Sequence, residues 1–116
     1  MTDITPTAQR RSVPALAVLR LGFAALLATR PGEARLVGAR ELALGLGTLD
    51  AYRSGGAVSG WVAAMAVADG SDALAFTIDG IREPHGRRRA LVMASFAASG
   101  LVAEGLTAYA LRRAGE

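Results

Sequence analysis

Six ionisable residues stand inside stretches that are otherwise apolar: Arg20, Arg40, Glu41, Asp69, Asp72 and Glu104. Their types limit what they can do. Arginine stays protonated at any relevant pH, so each guanidinium needs an anionic partner. Two cations against four carboxylates leave a surplus of two negative charges. A low-dielectric interior does not hold such a surplus, so about two carboxyls take a proton or a cation is bound. Asp69 and Asp72, one helical turn apart, are the pair expected to share a proton. Two kinds of chemistry follow. One is a proton or cation relay, or a polar pocket for a small ligand. The other is a network of Arg–carboxylate pairs that fixes helix register. With 116 residues and short loops there is little room for both a pocket and a core. That favours the structural network.

Other chemistry finds less support. The chain has no Cys, hence no disulfide framework and no thiolate metal site. Its one His, His85, lies in the polar stretch IREPHGRRR at 81–89. The apolar segments therefore lack the Glu-x-x-His repeats of a di-iron bundle, and they offer no His to a haem. The sequence D-G-S-D-A at 69–73 resembles the acidic, Mg-binding patches of membrane enzymes that handle diphosphate substrates. It carries a fragment of the CDP-alcohol phosphotransferase signature, without that signature's Arg and later acidic residues at the expected spacing. Such sites need further acids to hold the metal. No G-x-G-x-x-G follows a strand pattern, so Gly38, Gly45, Gly47 and Gly100 read as packing positions. No catalytic residue, metal or cofactor is expected. The net charge is +3, and all 13 basic residues are Arg. They are scattered between apolar segments, which suits an anionic lipid surface and argues against nucleic acid.

The elements that must position these groups are read from hydropathy. Hydrophobic residues make up 52% of the chain. They are mostly Ala, Leu and Val, which together with Gly form the palette of close helix packing. Alternating β-branched runs are absent, so strands are not expected. Residues 1–12 are polar and expected to be flexible. Arg10-Arg11 before an apolar run invites a secretory reading, but Arg20 interrupts that run and no A-x-A site follows. Segment one runs from Val13 to Thr29, capped by Ser12 with Pro14 in its first turn, and ends at Arg30-Pro31-Gly32. Segment two runs from Glu33 to about Tyr52 and places Arg40 and Glu41 on faces made of small residues. Arg53-Ser54-Gly55-Gly56 makes a tight turn. Segment three covers 57–79, with Trp61 as an interfacial anchor. Segment four runs from Ala90 to Leu111, with Glu104 its one charge.

These motifs look familiar. G-A-R-E-L-A-L-G-L at 38–46, then Trp61 with A-D-G-S-D at 68–72, resemble a family of small four-helix bacterial membrane proteins common in actinobacteria. That family has G-x-R-E in its second helix, W…D-x-x-D in its third and an acidic residue in its fourth. Arg40, Glu41, Asp69 and Asp72 match, and Glu104 stands where Asp is expected. The resemblance spans roughly residues 14 to 112 and implies a four-helix membrane fold; it carries no assigned activity.

The expected architecture is an all-α, up-down-up-down four-helix transmembrane bundle over residues 13–113. It would be multi-pass in the bacterial inner membrane, with the lipid bilayer as partner and self-association open to it. The arginine cluster at 87–89 leans the 81–89 loop toward the cytoplasm. The expected function is that of a membrane protein with a structural network built on Arg20, Arg40, Glu41, Asp69, Asp72 and Glu104. The alternatives are a proton- or ion-coupled transport subunit, a Mg-dependent membrane enzyme using Asp69 and Asp72, and a soluble helical-bundle dimer.

Overall fold

The computed structural model describes residues 6–28 and 33–116. It contains α1 (Pro6–Ala28), α2 (Glu33–Arg53), α3 (Ser59–Arg82), a short 3-10 turn (Pro84–Gly86) and α4 (Arg87–Arg113). Among the described residues there is no strand, and the fold is all-α with four helices.

Three boundaries differ from the sequence-based expectation, each for a local reason. Residues 6–12 belong to α1, so Ser12 lies inside the helix rather than capping it, and this part of the expected flexible segment is ordered. Pro6 supplies the start, since proline is preorganised for the first helical position. Arg10 then anchors the extra turns: it donates to the carbonyls of Gly56 and Tyr52, both at 3.3 Å, and lies over the Tyr52 ring. At the far end the expected loop 81–89 is mostly helical. α3 runs on to Arg82 and α4 starts at Arg87. The break narrows to Glu83, which precedes Pro84 and is held extended (φ −113°, ψ 90°). The expected start of the chain at 1–5 and the Arg30-Pro31-Gly32 turn lie outside the described residues.

α1 and α2 form one antiparallel hairpin, α3 and α4 another, and each hairpin is packed closely within itself. Gly45 lets α2 approach α1: a Cβ there would lie 2.9 Å from the Leu21 side chain. The 54–58 connection turns on Gly55, whose φ of +73° only glycine adopts freely. The hairpins meet over a smaller interface. The molecule is accordingly flat, 45 × 33 × 17 Å.

That interface is built in layers. Val13, Thr48, Val62 and Leu111, one from each helix, are fully buried. Val58 joins them, with Leu16, Ala51, Tyr52 and Ala108 packed around. Seven residues away on every helix, forward in α1 and α3 and back in α2 and α4, two turns on the same face, stand Arg20, Glu41, Asp69 and Glu104. One heptad step therefore separates an apolar layer from a charged one.

Candidate functional site

The charged layer is centred on Arg20 of α1, only 5% exposed. Its Nη1 donates to Glu41 Oε2 of α2 at 2.5 Å. Its Nη2 donates to both carboxylate oxygens of Glu104 in α4, at 2.8 and 2.7 Å. The same nitrogen reaches Asp69 Oδ2 and the Met65 carbonyl of α3, at 3.0 and 3.1 Å. One guanidinium thus touches all three other helices. Three carboxyls gather around it, and Asp69 and Glu104 converge on a single nitrogen.

Arg40 makes a second, shallower cluster. It grips Asp72 with two parallel bonds, Nη1 to Oδ1 at 3.0 Å and Nη2 to Oδ2 at 2.6 Å. Nη2 also donates to Glu41 Oε1 at 3.0 Å. Glu41 is therefore the bridge between the clusters: one oxygen faces Arg20, the other Arg40. The two differ in depth. The Arg20 side chain is 6% exposed, whereas those of Arg40 and Asp72 are 34% and 25% exposed.

All six residues read from the sequence stand in these two clusters. The expected pairing of Asp69 with Asp72 does not occur. Asp69 answers Arg20, and Asp72 answers Arg40. Residues three apart on a helix diverge by about 60° around its axis, enough for different neighbours to claim each. The two carboxylates therefore face different cations rather than a common ion. Among the described residues, no group of three or more His, Cys, Asp or Glu side chains is placed to hold a metal.

Two small residues make the geometry possible. A Cβ at Gly100 would collide with Asp69 Oδ2, so glycine on α4 is what lets the Asp69 carboxyl lie between α3 and α4. A Cβ at Gly47 would collide with the Trp61 ring, which packs against α2 at that point. Trp61, expected as an interfacial anchor, bridges the two hairpins and is 39% exposed. The spacing marked both glycines as packing positions but gave no partner, because the partner lies on another helix. On the side away from the apolar layer, Phe23 of α1 stacks on Phe96 of α4, centroids 5.8 Å apart.

In comparison with known proteins, the chain matches no family model, no curated protein and no solved structure.

Much of the helix surface between the charged ends is apolar. Exposed large hydrophobic side chains occur on all four helices, among them Leu19, Leu46, Val67, Leu74, Phe96 and Val102. On the outer faces, Ser71, Thr77, Ser95, Ser99 and Thr107 each donate their hydroxyl to the carbonyl one turn back. Four spanning helices were expected; among the described residues two helical stretches, α3 and Pro84–Arg113, are long and apolar enough to cross a membrane by length and composition, and α1 and α2 are not among them.

Proposed function

We propose that the chain is a small multi-pass integral membrane protein whose buried Arg–carboxylate network holds two helical hairpins in register. One observation carries this reading: a charged cluster is buried at the centre of the fold while many large apolar side chains are left on its surface. Arg20, Glu41 and Glu104 are buried among Ala, Val and Met, while large apolar side chains such as Leu19, Leu36, Val67, Ile81 and Phe96 are exposed. A water-soluble bundle of this size buries its large apolar side chains first. In hydrocarbon the preference inverts, and charged groups must find each other. The outward hydroxyls bonded to their own backbone fit the same solvent, where each polar group needs an internal partner. α1 and α2 carry the two central arginines, each costing about 2.5–3.5 kcal/mol on insertion scales. Pairing with acids on α3 and α4 offsets that cost, which supports insertion of the hairpins together. The motif resemblance points to the bacterial cytoplasmic membrane. Fractionation tests the reading: the protein should sediment with membranes and require detergent for extraction. Recovery in the aqueous fraction without detergent would end it.

A second reading has its own support. Asp69 and Glu104 meet at one nitrogen of Arg20, at 3.0 and 2.7 Å. Two carboxyls in that arrangement hold one proton between them. A proton- or ion-coupled transport subunit would use such a site, with further copies completing the pathway. In liposomes loaded with a pH-sensitive dye, a flux lost in Asp69→Asn supports transport. The absence of flux in the native protein leaves the structural role.

A further inference from the structure

The end where α3 meets α4 departs from a rule of helix electrostatics. A helix N-terminus carries partial positive charge and favours acidic residues in its first turn. α4 opens with Arg87, Arg88 and Arg89, has no acid in its first turn, and is preceded by Gly86 with no side-chain cap. The fold uses one of the three. Arg87 Nε donates to the Gly80 carbonyl at 2.9 Å and ties α4 to the end of α3. Arg88 and Arg89 are exposed and make no hydrogen bond, ion pair or ring contact with the described residues. Arg82 is exposed nearby, and Glu83 is the one acid from 81 to 89. Four guanidiniums are thus gathered toward one end of the bundle, where Asp79 and Glu83 are the only acids of the described stretch 79–89.

A shallow, open groove of about 640 Å³ begins at these arginines and descends along α4. Its upper rim is Pro84, Arg87 and Arg88; one turn down come Leu91 and Val92, and a further turn down Ser95. The Ser95 hydroxyl is turned back to the Leu91 carbonyl, so the floor is apolar. Leu91 and Val92 are 45% and 62% exposed.

We propose that this groove seats an anionic phospholipid, with the phosphate at Arg87 and Arg88, Arg89 adding to the local field, and an acyl chain laid over Leu91 and Val92. Guanidinium matches phosphate in both charge and geometry. A free anion would need the arginines alone; the apolar floor leading from them toward the bundle's mid-height is what a lipid tail requires. The inference rests on the membrane reading. It places this end at the cytoplasmic leaflet, where basic residues collect beside anionic headgroups.

The test uses the full chain in a neutral detergent, titrated with phosphatidylglycerol, phosphatidylcholine or inorganic phosphate, with bound lipid counted by native mass spectrometry. Phosphatidylglycerol should be retained in preference to phosphatidylcholine, and equal concentrations of inorganic phosphate should not displace it. Arg88→Gln with Arg89→Gln should weaken retention about 25-fold, at roughly fivefold for each basic residue near an anionic headgroup. Arg112→Gln with Arg113→Gln, the same charge removed at the opposite end, should leave it unchanged. Both pairs are exposed, and circular dichroism should report native helicity in each. Unchanged retention in the Arg88/Arg89 variant overturns the site, and so does displacement by inorganic phosphate. A chain that stays aqueous without detergent overturns the membrane reading as well, whereas a membrane-bound chain without lipid preference overturns this site alone.

Discussion

Val13, Thr48, Val62 and Leu111 close one level of the bundle; two turns along, Arg20, Glu41, Asp69 and Glu104 close the next. Each layer takes one residue from each helix at the same heptad position. Yet the first is held by dispersion and the second by charge. In water the apolar layer would dominate, because removing it from solvent is the main source of stability. In hydrocarbon the helix exterior is as apolar as the layer itself, so the transfer advantage disappears and only close packing remains. The charged layer gains by the same change. Its groups cannot be hydrated from the bilayer core, so separating the hairpins would strand them. The apolar layer decides how closely the helices approach, and the charged layer decides which helices belong together.

The comparison breaks first at Arg20. Arg20→Leu leaves Glu41, Asp69 and Glu104 crowded around an empty centre, and should cost about 3–5 kcal/mol, the range for removing one partner of a buried ion pair. Thermal unfolding in detergent, followed by helical circular dichroism, measures it. Adding Glu104→Leu and Asp69→Leu should recover part of the loss, since a wholly apolar replacement is often tolerated. An unaltered melting temperature in Arg20→Leu would mean that the layer holds nothing together. Gly100→Ala should come next. The added methyl drives the Asp69 carboxyl off Arg20, and overpacking of this kind costs about 1–3 kcal/mol. Asp69→Ala in the same chain removes the clash, so the double variant should be less than additive.

Much of this arrangement was legible in the chain. The helix count followed from four long apolar segments, and the six ionisable residues stood out because the other charged residues of those segments lie at or within two residues of the segment ends. Their partners were not legible. Asp69 and Asp72 were paired by sequence proximity, and the structure separates them because α1 and α2 each present an arginine to α3. Trp61 against Gly47 is equally invisible, since the match depends on the register of α2 against α3. One signal went unread. The seven-residue steps 13 to 20, 41 to 48, 62 to 69 and 104 to 111 align both layers on all four helices. Heptad spacing between charged and apolar positions would have named the residues facing Arg20 before any coordinates.

Leu111→Ala sharpens the contrast from the other side. A fully buried leucine in a water-soluble core costs at least about 2 kcal/mol when truncated to alanine. If lipid surrounds this bundle, the loss should fall below that bound, because only packing is given up. A value of about 4 kcal/mol or more would place water outside the helices and return the soluble-dimer alternative.

The smallest effect should belong to Arg40. Its pair with Asp72 is bidentate, but both side chains are partly exposed. In Arg40→Gln, Glu41 keeps its bond to Arg20, and Asp72 is left at the accessible edge rather than sealed inside. A cost of about 1 kcal/mol is expected, near the upper end for solvent-accessible pairs. Salt distinguishes the two arginines further. Screening reaches accessible charges and leaves buried ones largely untouched. Raising ionic strength should therefore lower the stability of the native protein slightly and that of Arg40→Gln not at all, because the pair that salt weakens is already gone. Equal salt dependence in both would mean that Arg40 and Asp72 are as deeply enclosed as Arg20, and that the bundle has one charged layer of uniform depth rather than a sealed centre with an open flank.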